Sequence, residues 1–103
     1  FGLFGYSYLV ANKDKIKAAK VNGVVPSLEG IQNYSYPIAR PLFFYVKKAH
    51  VGVVPGIHEF LKEFTAKKAT GSKGYLTDIG LVPLSTEKYK LTRNSALNLT
   101  TIN

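Results

Sequence analysis

Apolar residues in this chain fall into short runs broken by Gly, Pro and Asn, and the spacing inside each run predicts what it forms. Ile57, Phe60, Leu61 and Phe64 follow an i, i+3, i+4, i+7 pattern after Pro55. That spacing predicts a helix opened by Pro55, with one apolar stripe that buries Phe60 and Phe64. Tyr75, Leu76 and Ile79 predict a second helix that stops at Gly80, with Pro83 beyond it. Between the two, Thr70-Gly71-Ser72 breaks the pattern. A third helix is expected to start at Ser85 or Thr86. From Asn94 to Asn103 the chain is polar with scattered leucines, and the expectation is a loosely held tail.

The first half reads differently. Leu42 to Val46 is an unbroken apolar run, which predicts a buried strand. Pro37 and Pro41 precede it; a fixed φ and a missing donor suit an extended entry rather than a helix. Gly2 to Tyr6 is read as a strand too, followed by a helix from Ser7, its N-cap, through Tyr8, Leu9 and Ala11 to about Lys15. Asn22-Gly23, flanked by Lys17 to Val21 and Val24 to Val25, predicts a two-residue hairpin or tight turn. Pro26-Ser27 introduces a short helix, with Ser27 as cap, Glu29 near the positive end of the dipole and Leu28 and Ile31 on one face. It should end near Asn33, and Lys47 to Val54 should connect the strand to the next helix.

Composition narrows the picture only moderately. With 103 residues, 46% hydrophobic and 13% aromatic, the chain suffices for one small globular unit, and 19% charged residues does not indicate disorder. The absence of cysteine excludes a disulfide scaffold and a thiolate metal site. No apolar run approaches the roughly 20 residues needed to span a bilayer. The formal charge of +8 favours anionic partners at long range. It is spread along the chain: residues 1–46 carry five basic and two acidic side chains, and 47–103 carry nine and four.

Candidate chemistry is sparse. Ser7, at a strand-to-helix turn, is an anion-binding candidate as well as an ordinary N-cap. Gly71-Ser72-Lys73-Gly74 lacks the upstream glycine and the following hydroxyl of a P-loop and reads as an interhelical loop. Arg40, between two prolines, can form a structural ion pair or reach an anion. His50 and His58 are not at a helical spacing that shares a face, and no metal site is expected from them. Glu59 and Glu63, with Lys62 and Lys67, read as a solvated charge pattern. Asn33-Tyr34-Ser35 and Asn98-Leu99-Thr100 match the short glycosylation acceptor pattern. No nucleophile elbow, triad order or reactive cysteine is present, so catalysis is not expected.

Four stretches together carry a resemblance. FGLFGYSY (Phe1 to Tyr8), VNGVVPSLEGIQNYSYP (Val21 to Pro37), YPIARPLFFYVK (Tyr36 to Lys47) and GYLTDIGLVPLS (Gly74 to Ser85) occur in the order found in one family. From Phe1 to about Ser85 the chain resembles the C-terminal part of the phosphate-binding protein of bacterial phosphate ABC transporters. The resemblance implies an α/β fold, part of a two-lobed periplasmic-binding-protein type II architecture with a mixed sheet and flanking helices. It also implies that residues 1–35 are the C-terminal part of the second lobe, 36–45 an interlobe crossover strand, and 46–103 the C-terminal part of the first lobe. Pro37, Arg40 and Pro41 would then form the hinge. Most phosphate ligands would lie upstream, with Ser7 as the candidate in this chain.

The expected partners are inorganic phosphate, an ABC-transporter permease and the N-terminal remainder of the same protein, with no cofactor and no nucleic acid. The expected location is periplasmic or otherwise extracytoplasmic. Phe1-Gly2-Leu3-Phe4-Gly5 reads as the middle of a strand, which suggests a fragment. Two rivals remain: an interaction or signalling protein on the same scaffold, and a small basic nucleic-acid-binding domain.

Overall fold

A computed structural model describes residues 1–102. The order along the chain is α1 (Tyr6–Ala11), α2 (Leu28–Gln32), a single 3₁₀ turn (Lys48–His50), α3 (Ile57–Phe64), α4 (Lys67–Thr70), α5 (Tyr75–Asp78) and α6 (Thr86–Leu97). This is not the expected mixed sheet with flanking helices. Among the described residues the β component is two isolated bridges, Val21 with Val24 and Val51 with Val54, each within a turn.

The correction has a physical cause. A strand exists only as part of a ladder, and among the described residues no segment bonds to the backbone of Leu42 to Val46. That run is neither helical nor paired, and Leu42 is 88% exposed and Phe43 71% exposed. Gly2 to Tyr6 is not a strand either. Gly5, in an extended conformation, caps α1, and Phe4 stacks on Tyr8 with ring centroids 5.0 Å apart, so the aromatic run feeds a helix start.

Several local readings hold. Val21 and Val24 exchange both backbone hydrogen bonds at 3.0 Å. Between them Asn22 and Gly23 take φ of 50° and 79°, the positive pair that a type I′ turn needs. The Ser27 hydroxyl accepts from the Gly30 N–H at 3.0 Å and starts α2, which ends at Asn33. α5 closes as expected at Gly80, φ 109°, where Gly80 N–H bonds Thr77 and Leu81 N–H bonds Leu76. That pair of bonds is a Schellman motif.

Others shift. α3 begins at Ile57 with Gly56, φ 87°, as its cap, so Pro55 stands just outside the helix rather than opening it. α4 has no apolar periodicity and was not expected. It is a single turn whose Ala69 is fully buried. α6 runs through Asn94 to Leu97, where a loose tail was expected. It ends in a second Schellman motif, Leu99 N–H to Ala96 and Thr100 N–H to Ser95. Leu99, φ 52°, occupies the position where glycine is usual, which hid the stop in the sequence. Asn103 lies outside the described residues.

The packed part is the α3–α6 region. Leu61 is 4% exposed, and among the described residues no large side chain is fully buried. The Tyr89 hydroxyl and an Arg93 guanidinium nitrogen, both on α6, donate to the Thr65 carbonyl at 2.8 and 2.7 Å. The Thr65 hydroxyl in turn donates to the Leu61 carbonyl at 2.7 Å. Elsewhere packing is thin. The accessible surface is 8191 Å², against about 5,700 Å² expected for a compact monomer of this mass. The radius of gyration is 16.2 Å, against about 13 Å for a compact chain of this length.

Phe60, on the α3 stripe, is 52% exposed, contrary to its expected burial. Replacing Leu61 by alanine should therefore cost about 2–5 kcal/mol, and Phe60→Ala clearly less. Urea unfolding of the two variants checks this; equal losses would place Phe60 in the core.

Candidate functional site

Ser7 is the second residue of α1, and the cap position belongs to Gly5, whose carbonyl accepts from Tyr8 and Leu9 at 3.1 and 3.3 Å. The expected capping role of Ser7 is thus corrected. Its side chain is exposed and lies against Gly80: a Cβ added at Gly80 would sit 2.5 Å from Ser7 Cβ and 2.8 Å from its Oγ. A close approach of α1 to the end of α5 is what that glycine permits.

The expected hinge residues form one local unit. Ala39 N–H bonds the Tyr36 carbonyl at 3.0 Å and closes a turn over Pro37. Arg40 Nη1 donates to the Pro37 and Ala39 carbonyls at 3.1 and 2.8 Å. The guanidinium folds back on its own turn instead of forming the expected ion pair. Among the described residues the ion pair is Lys68 with Glu63, 3.0 Å apart. Glu63 also accepts from the Tyr75 hydroxyl at 3.3 Å. The hydrogen bond to Glu63, and then its charge, hold the Lys68 ammonium above the usual lysine range.

Downstream of Pro41 the extended run presents its side chains alternately. Phe44 packs on α3, with its ring 5.4 Å from Phe60 and 5.1 Å from Phe64, while Phe43 and Tyr45 stack at 6.0 Å on the other face. Beside Phe44 and Phe60 an open groove of about 430 Å³ carries Lys47 and His50 on its wall. His58 lines a different groove, with Glu59, so the two histidines do not converge. Sequence reasoning missed the aromatic groove because it placed Phe44 in a sheet and Phe60 in a core.

The remaining motifs have structural roles. Gly71 and Gly74 are buried, with Cβ positions that would collide with the Lys67 and Ala69 carbonyls respectively. Ser72 and Lys73 stand exposed between them. The glycines of this loop serve close packing of α4 on α5. The Asn33 side chain accepts from Ser35 N–H at 2.9 Å, a local turn.

Three contacts join the first 35 residues to the last third of the chain. Besides Ser7 and Gly80, Gln32 Nε2 donates to the Pro83 carbonyl at 2.8 Å, and Lys88 Nζ lies 4.4 Å from the Tyr34 ring centroid. No described helix is long and apolar enough to cross a membrane.

With this geometry in view, the chain's relationships are informative. It is homologous to phosphate-binding proteins, as the four sequence stretches implied. The relative named phosphate-binding protein PstS of Staphylococcus epidermidis is 42% identical over 66 residues, covering 59% of this chain and 20% of the relative. The protein of that name in Staphylococcus aureus is 34% identical over 94 residues, covering 86% of this chain and 28% of the relative. The chain therefore spans about a quarter of the length of these relatives. No family model matches it. No solved structure matches it.

Two measurements follow. Gly80→Ala, with its φ of 109° and the Ser7 approach, should destabilise by more than about 1 kcal/mol; an unchanged melting curve would mean that α1 does not pack there. The Lys68 ammonium, followed by NMR, should titrate above the usual lysine range. Any stability it adds is full below its unfolded pKa and lost as pH rises through the folded value. Glu63→Gln should erase that displacement.

Proposed function

We propose that the chain is a C-terminal portion of a phosphate-binding protein that captures inorganic phosphate outside the cytoplasm and hands it to an ABC-transporter permease. The observation that carries this reading is the 34% identity to a phosphate-binding protein over 86% of the chain. The role is binding rather than catalysis, in keeping with the relatives' name. Two physical features support it. The surface is larger than a compact unit of this size needs, and Leu42 to Val46 is an extended, apolar segment without a ladder. Both leave apolar surface that another part of the same protein can cover.

In this reading residues 1–35 and 46–103 belong to two lobes, and 36–45 crosses between them. Pro37 and Pro41 stiffen the crossover, and Arg40 locks the turn that starts it. Rotation about such a segment would close a cleft on the anion, exclude water and strengthen the hydrogen bonds to its oxygens. The Gln32–Pro83 and Tyr34–Lys88 contacts would then be contacts between lobes. The +8 charge assists anion encounter at low salt. Ser7 is a minor ligand candidate; most donors would come from the upstream part of the protein.

Calorimetric titration with phosphate, sulfate and short DNA tests the proposal. The chain alone should bind phosphate weakly or not at all, and the complete polypeptide that carries it should bind phosphate in preference to both competitors. Tight phosphate binding by the chain alone would overturn the upstream location of the ligands. A complete polypeptide that ignores phosphate and binds DNA would overturn the function.

A further inference from the structure

The Asn22-Gly23 turn combines four features that bear on backbone chemistry. Both residues are exposed, and nothing lies within 4 Å of where a Cβ on Gly23 would stand. Gly23 therefore offers no steric shield to its own nitrogen. Among the described residues, neither the Gly23 N–H nor the Asn22 side chain makes a hydrogen bond. The turn is held by the Val21–Val24 pair alone, an isolated bridge with no ladder on either side. Breaking those two hydrogen bonds frees the Asn22 ψ angle, which is the rotation that brings the next nitrogen to the side-chain amide carbon.

We propose that Asn22 is a site of spontaneous deamidation, with isoaspartate as the main product. The deprotonated Gly23 nitrogen attacks Asn22 Cγ. A bond forms between them, the Cγ–NH₂ bond breaks, and the amide leaves as ammonia with a proton from solvent. The resulting cyclic imide is opened by water, the only co-reactant. Hydrolysis at the backbone carbonyl leaves the chain joined through Cγ, which is isoaspartate; hydrolysis at Cγ gives aspartate. No oxidation or reduction occurs. Either product replaces a neutral side chain by a carboxylate and lowers the +8 charge by one. IsoAsp also lengthens the backbone between Val21 and Val24, so the turn hydrogen bonds are lost.

The other described asparagines serve as internal controls. The Asn12 side chain donates to the Tyr8 carbonyl at 3.0 Å, and the Asn33 side chain accepts from Ser35 N–H. Asn94 lies within α6, and Asn98 caps its end. Each is followed by a residue with a Cβ, Lys13, Tyr34, Ser95 and Leu99 respectively.

The test incubates the chain at mildly alkaline pH and follows each asparagine by peptide mass mapping, with isoaspartyl methyltransferase labelling to identify isoaspartate. The native chain should convert Asn22 several-fold faster than any control asparagine, and at a rate within several-fold of that in denaturant. Gly23→Ala should slow the conversion strongly. Since alanine is strained at φ 79°, the comparison of that variant is made in denaturant, where the turn is absent. Native conversion of Asn22 no faster than that of Asn33 would overturn the proposal. Conversion unaffected by Gly23→Ala would overturn the attacking atom.

Discussion

Two donors from α6 converge on a single carbonyl oxygen, that of Thr65, and the ordered half of the chain is arranged around that point. Thr65 follows the last turn of α3, where carbonyls have lost their helical partners. Tyr89 and Arg93, one helical turn apart, satisfy one of these oxygens twice, and the Arg93 bond is charge-assisted. The Thr65 hydroxyl reaches back to Leu61, so the most buried leucine and the α3–α6 junction share one network. With so little apolar burial, such directional bonds decide how α6 sits.

The other half has no equivalent. From Arg40 to Val46 the chain is extended and its backbone groups make no backbone hydrogen bond among the described residues. Phe44 packs on α3, while Phe43 and Tyr45 stack on each other and are largely exposed. An exposed apolar edge of this kind is a template for another strand.

Arg40 illustrates how local geometry can settle a residue that sequence leaves open. A guanidinium between two prolines reads first as an ion-pair partner and second as an anion ligand. The turn over Pro37 instead places two carbonyls within its reach, and among the described residues no carboxylate pairs with it. Ser7 shows the converse. Its helix was legible, but two residues of displacement in the start transferred the cap to Gly5 and set Ser7 against Gly80.

What the sequence determined by itself was local: the Asn22-Gly23 turn, the Ser27 cap, the Gly80 stop, the start of α6 and the relationship to phosphate-binding proteins. Each depends on a residue's intrinsic φ preference, on a hydrogen bond within a few positions, or on residue order. The rest needed tertiary structure. An apolar run such as Leu42 to Val46 specifies an extended backbone but not its partner, so the expected mixed sheet does not follow from it. α4 has no apolar stripe; Gly71, its C-cap, lies against the Lys67 carbonyl, and Gly74, the cap of α5, lies against the Ala69 carbonyl, a closeness that a larger residue would block. Phe60 shares a face with Leu61, yet one is half exposed and the other buried. Burial requires a surface opposite, and no periodicity along a single helix can state whether that surface is there.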